Sequence, residues 1–128
     1  MKRLALLGAC LVAVSCGTPP EQDACASIVD VTAPGASDGH DRWIVGGWTS
    51  DRVHFTALTT FAIPHGLMRA PNAVRCQVSF SADGPLAEQS GSVCLWLTQC
   101  GSRNGRTDRE VIIRNSGSEN FWARFIIE

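Results

Sequence analysis

The residues able to do chemistry in this 128-residue chain are six cysteines, three histidines, four tryptophans and a group of arginines. The histidines, His40, His54 and His65, are too far apart for a local metal motif. His40 lies between Asp38 and Asp41, which could hold a cation weakly, but aspartates capping a turn explain the same residues. No metal or other cofactor is assigned. Arg103, Arg106 and Arg109, with Asn104 and Thr107, form the most polar stretch. Guanidinium groups bind carboxylates and phosphates through paired hydrogen bonds, so Arg103 and Arg106 are candidate anion contacts. Asp108 and Glu110 can balance them in a solvated loop. Trp43 and Trp48 flank Gly46-Gly47, and Trp96 and Trp122 sit within strand-like runs. An indole offers a large stacking face with one polar handle. Trp122 and Arg124 share the parity opposite to Phe121, Ala123, Phe125 and Ile127, so together they are the best candidate binding patch. Trp43 and Trp48 are secondary candidates, and Trp96 reads as core.

Enzyme motifs fail on inspection. Ile44-Val45-Gly46-Gly47 resembles the mature start of trypsin-like serine proteases, with Arg42 near the activation cut. Trp43 intervenes, however, and no Gly-Asp-Ser-Gly-Gly or Ala-Ala-His-Cys segment supplies a triad. There is no Gly-x-Ser-x-Gly elbow, phosphate loop or zinc-helix motif, and the acidic residues are scattered singly. A non-catalytic protein is expected.

The N-terminus is more specific. Lys2 and Arg3 precede an apolar run over 4–14, then Ser15 and Cys16. A basic start, an apolar stretch and small residues at the cut make a secretory signal. Ala13-Val14-Ser15-Cys16 resembles the lipobox of bacterial lipoproteins. Leu7-Gly8-Ala9-Cys10 fits the same pattern, but it would leave a shorter apolar region than the usual ~7–15 residues. An ordinary secreted protein, cut after Ala9 or Ala13, is the plainer alternative. The lipobox resemblance implies removal of residues 1–15 and acylation of Cys16 with lipid chains such as palmitate. It also implies anchorage in the cell envelope, with Gly17 after the cysteine pointing to the outer membrane. The apolar run is shorter than the ~20 residues of a spanning helix.

Losing Lys2 and Arg3 takes the formal charge from −1 to about −3, and no basic tract remains. That excludes a nucleic-acid footprint. With Cys10 removed and Cys16 acylated, Cys25, Cys76, Cys94 and Cys100 are left to form two disulfides in an oxidising compartment. If 95–99 is extended, Cys94 and Cys100 lie roughly 20 Å apart, beyond the ~7 Å between α-carbons that a disulfide tolerates. Cys25 therefore pairs with Cys76, Cys94 or Cys100, and Cys94 does not pair with Cys100.

These residues need a frame. Pro19, Pro20, Pro34, Gly35 and Gly39 punctuate 16–39, which reads as a lipidated N-terminus and flexible tether. Cys25 would pin it part-way if bridged. The rest, 40–128, reads as one domain of short strands over 42–48, 53–63, 73–81, 92–99, 109–115 and 121–127. Val74, Cys76, Val78 and Phe80 alternate with polar residues, whereas 92–99 is nearly continuously apolar, as in a strand covered on both faces. No helical stripe appears. The fold expected is an all-β, small antiparallel β-sandwich or jelly-roll-like domain. Phe61-Ala62-Ile63-Pro64-His65-Gly66-Leu67 and Ala70-Pro71-Asn72 are similar to a strand–turn–strand pattern in small β-sandwich modules of phage tail fibres. That resemblance implies surface recognition and no particular site residue. The expected function is binding or scaffolding of an envelope protein or glycan. A secreted carbohydrate-binding module and a small hydrolase with an unrecognised site are the alternatives.

Overall fold

The computed structural model describes residues 24–48 and 51–128. Cys16, the expected lipobox and residues 16–23 of the expected tether lie outside them. The described residues form twelve short strands, ten of them in the two sheets of a β-sandwich and β9 and β10 paired as a separate hairpin: β1 (Ile28–Asp30), β2 (Gly35–Ser37), β3 (Trp43–Val45), β4 (Val53–Phe55), β5 (Thr59–Pro64), β6 (Val74–Ser79), β7 (Ala87–Gln89), β8 (Leu95–Trp96), β9 (Gln99–Cys100), β10 (Arg103–Asn104), β11 (Glu110–Asn115) and β12 (Phe121–Ile127).

One sheet runs β1-β5-β11-β8, and the larger one runs β2-β3-β12-β6-β7 with β4 also on β12. All pairings are antiparallel except β1 with β5. Between the sheets lies a core of Phe55, Phe61, Ile63, Cys76, Val78, Val111, Ile113, Phe125 and their neighbours. Strands β4, β5, β6, β11 and β12 contribute alternate residues to it, as the pleat requires. Phe55 meets Phe61 at 5.2 Å and Phe125 edge-on at 5.1 Å.

Several expectations needed correction. The run 53–63 is two strands in different sheets, because Leu58 turns the chain at φ 56° between β4 and β5. Phe80 follows the last residue of β6 and is 76% exposed, so strand parity does not carry it into the core. The stretch 92–99 is not one covered strand. A 3-10 turn at Gly91–Val93 leads into β8, and β9 begins after a break. Its apolar residues serve different neighbours: Val93, Cys94 and Trp96 pack on the main core, while Leu97 joins a second cluster.

The strands covered on both faces are β5 and β11. Val111 and Ile113 face the main core, and Ile112 faces the cluster of Ala24, Leu97 and Cys100. Within the expected tether, β1 and β2 are instead hydrogen-bonded into the two sheets, so 28–37 belongs to the sandwich. Cys25–Cys100 and Cys76–Cys94 are disulfides. Cys94 and Cys100 stay unpaired with each other, as expected, although no single straight strand separates them.

Candidate functional site

The outer face of the larger sheet gathers the best-placed polar and aromatic side chains. Trp122, Arg124 and Ile126 of β12 point away from the core, beside Ser79, Gln77 and Arg75 of β6. Ile44 of β3 and His54 of β4 lie on the other side of β12. The expected parity of Trp122 and Arg124 holds: both are half-buried on this face, and their β12 neighbours Ala123 and Phe125 are fully buried. His54 stacks on Trp122 with ring centroids 4.5 Å apart.

Arg124 has a distinctive position in the sheet. β4 pairs with residues 121–123 of β12 and β3 pairs with 125–127, so Arg124 falls opposite the gap between them. The segment 46–48 leaves β3 across that gap, and Arg52 leads into β4. Gly46 makes the crossing possible. Its φ is +92°, and an added Cβ would lie 2.8 Å from the Ala123 carbonyl oxygen and 3.3 Å from Arg124 Cα. At the far end Arg52, buried, donates to the Gly84 carbonyl at 2.8 Å, the Ser81 carbonyl at 3.3 Å and the Trp48 carbonyl. This anchors the crossing to the turn after β6 and sets Trp48 over Arg124, with Cζ 4.4 Å from the ring centroid. Trp48 is still 63% exposed. One indole face covers the guanidinium, and much of the rest meets solvent.

These residues border an open hollow of about 390 Å³, lined by Asp38, His40, Arg42, Ile44, Trp48, Arg75, Gln77, Arg124 and Ile126. Its three arginines differ in their partners. Arg42 pairs with Asp38 at 2.5 Å. Arg75 makes paired bonds to Glu88 at 2.7 and 3.0 Å and lies 3.5 Å from Glu128. Arg124 has no carboxylate within ion-pair distance among the described residues. Its Nη1 donates to Gln77 Oε1 at 3.2 Å, and its buried Nε has no partner among the described residues. Burial, and then the nearby Arg42 charge, push its pKa below the ordinary arginine value.

The other sequence candidates are committed elsewhere. Trp43 faces the core side, and its indole packs so closely over Gly35 and Gly66 that neither position has room for a Cβ. Arg103 grips Glu110 with bonds of 2.7 and 2.8 Å and reaches Asp30 at 3.4 Å. Arg106 donates to the Pro71 carbonyl at 2.6 Å and lies 3.4 Å from Asn72 Oδ1. These arginines brace loops. Asp38 accepts from the His40 amide and pairs with Arg42, and Asp41 pairs with Arg69, so the loop carboxylates are engaged. His65 is buried, with Nε2 donating to the Thr107 carbonyl at 2.9 Å and Nδ1 accepting from the Leu67 amide at 3.2 Å. Among the described residues no three His, Cys, Asp or Glu side chains cluster as metal ligands.

A second hollow of about 400 Å³ is mostly apolar, lined by Val78, Phe80, Pro85, Ala87, Phe121 and neighbouring serines and glutamine. The proximity of Trp48 to Arg124 had no signature in spacing, because they are distant in sequence and meet only through the crossing chain. No family model matches the sequence, and no curated protein or solved structure matches it.

Proposed function

We propose that this chain is a lipid-anchored binding protein of the bacterial cell envelope that presents the outer face of its larger sheet to a protein or glycan partner, without catalysis. The observation that carries the binding role is the Trp48–Arg124 pair: an exposed indole stacked on a guanidinium that has no acidic partner among the described residues. Stacking surface beside an unneutralised cation is a recognition surface, and core packing accounts for neither.

The anchor rests on the signal-like residues 1–15 and on Cys16. Acylation there would raise the local concentration of the domain for any partner at the membrane surface. The chain between Cys16 and Cys25 spans at most about 30 Å when fully extended, so the sandwich would sit close to the lipid. The outer membrane is the expected site.

The intact mass of protein extracted from membranes tests the anchor. A species beginning at Cys16 with added acyl mass is expected, and Cys16→Ser should release the protein to the soluble fraction. An unmodified soluble species would overturn this part and leave a secreted binding module. Binding to isolated envelope material tests the face. Trp48→Ala with Trp122→Ala should abolish retention, and Leu58→Ser, at an exposed turn elsewhere, should not.

The second hollow favours a scaffold as the alternative reading. Phe80, 76% exposed, lies 5.2 Å from Phe121 beside β7, whose outer edge carries no strand among the described residues. Phe80→Ser would then release a partner that Trp48→Ala leaves bound.

A further inference from the structure

The hollow beside Arg124 is specific enough to name a ligand class, and the inference rests on the binding role proposed above. Its floor is apolar, from the paired Ile44 and Ile126. One wall is the indole of Trp48. Its rim carries His40, Gln77 and Arg75, which can bond hydroxyl groups. An apolar floor, a stacking wall and a hydrogen-bonding rim match a sugar ring, with its C–H face and its hydroxyl edge. The volume, about 390 Å³, is that of a small-ligand site.

Charge narrows the class further. Counting only side chains that line the hollow, Arg42, Arg75 and Arg124 face a single acid, Asp38. Glu88 and Glu128 engage Arg75 from outside that lining. Among the described residues two of the three cations are thus neutralised, and Arg124 is the one left to meet an external anion. It is held ready by Trp48 on its face and by Gln77 at Nη1, with further N–H donors uncommitted. A guanidinium so placed binds an oxyanion through charge-assisted hydrogen bonds.

We propose that this hollow binds an acidic saccharide, with the sugar's oxyanion on Arg124 and its ring beside the open part of Trp48. The oxyanion can be the carboxylate of a uronic acid or the sulfate of a sulfated sugar, since both present the same chemistry to a guanidinium.

The test titrates the full chain with a uronate tetrasaccharide, a sulfated tetrasaccharide and the matching neutral tetrasaccharide, read by calorimetry and tryptophan fluorescence. At least one acidic sugar should bind about tenfold or more tighter than the neutral one, a difference of roughly 1.4 kcal/mol. That preference should shrink in high salt. The tighter of the two acidic sugars identifies the oxyanion. Arg124→Gln should remove the preference, and Trp48→Ala, at a position 63% exposed, should weaken every sugar. Arg124→Lys keeps the charge without the planar fork, so an intermediate preference is expected. Equal affinity for neutral and acidic sugars, or an acidic preference unchanged in Arg124→Gln, would overturn the proposal. Binding of a glutamate-rich peptide in place of all three sugars would overturn it too. Retention on envelope material that depends on Trp48, with no acidic sugar bound, would sink this inference while the broader binding role survived.

Discussion

The two sheets share one core, but their outer faces are finished in opposite ways. On the smaller sheet, Thr60 and Ala62 of β5 and Ile112 of β11 face outward yet are at most 2% exposed. The chain around Ala24 and Leu97–Cys100 lies over Ile112, held by the Cys25–Cys100 disulfide. On the larger sheet, Trp122, Arg124, Arg75 and Gln77 face outward and remain half-exposed; among the described residues the short segment that carries Trp48 and the turn at Gly84, beside buried Ser79, lie against this face. Closing a face thus took a disulfide and a second apolar cluster. The face left open carries the stacking and charged groups, and such groups on an exposed surface are where binding concentrates.

Removing the cover should produce the largest effect. Cys25–Cys100 closes 75 residues of chain and Cys76–Cys94 closes 18. Loop-closure entropy predicts losses of about 4.5 and about 3 kcal/mol respectively when each pair is replaced by alanine. Cys25→Ala with Cys100→Ala should therefore lower the urea midpoint more than Cys76→Ala with Cys94→Ala. It should also speed amide exchange around Ile112 in β11. If the two double variants were equally stable, the 25–100 bridge would not be acting as a cover. A single deletion under the same cover comes next. Ile112 is fully buried and its side chain faces the covering segment, so Ile112→Ala should cost about 3 kcal/mol in equilibrium unfolding.

A pH-dependent effect also belongs to the loops near the covered sheet. Burial, the largest influence on His65, holds its imidazole below the ordinary histidine pKa of 6.5 despite the opposing Thr107 hydrogen bond and nearby Asp108. The unfolded chain then binds the proton more readily than the folded one. Stability is full above pH 6.5 and falls as the pH drops below it toward the folded-state value. The hydrogen bonding acts in the same direction as burial: Nδ1 accepts from the Leu67 amide, and a proton there would set donor against donor. Urea melts from pH 7.5 down to 5.5 should show the decline, and His65→Gln should flatten it. A decline unchanged in that variant would assign the effect to another group.

How far these contrasts could be read from the sequence depended on the kind of contact. Period-two alternation placed Val74, Cys76 and Val78 inside and Arg75 and Gln77 outside, and it put Trp122 with Arg124 on the outer face. Those assignments needed only strand parity. Parity fails where a strand ends, so Phe80 was misplaced and 53–63 ran across a change of sheet. The run 92–99 misled for a further reason. Continuous apolar residues mark burial on several sides, whether by one covered strand or by a bent segment touching two clusters. Asn115 shows the same limit for polar groups. As part of Asn115-Ser116-Gly117-Ser118 it reads as a turn residue, and its Oδ1 does accept from the Gly117 amide. It is also fully buried, with Nδ2 donating to the Phe55 carbonyl of β4 at 3.1 Å, a link only the fold reveals.

The smallest stability effect should come from the open face, and it is the sharpest check on the contrast. Trp48 is 63% exposed, and its main described contact is the guanidinium of Arg124 beneath it. An exposed cation–π contact contributes about 0.5–1 kcal/mol, so Trp48→Ala should cost no more than about 1 kcal/mol, well below Ile112→Ala. Arg52 bonds the Trp48 backbone and not its indole, so the crossing segment keeps its anchor in the variant. The fold should therefore survive while envelope binding is lost. Paired urea melts of Trp48→Ala and Ile112→Ala decide the point. A loss at Trp48 as large as that at Ile112 would make the indole a structural cover for β12, the counterpart of the Cys25–Cys100 segment on the other sheet. The larger sheet would then have no open face, and the case for binding there would fall with it.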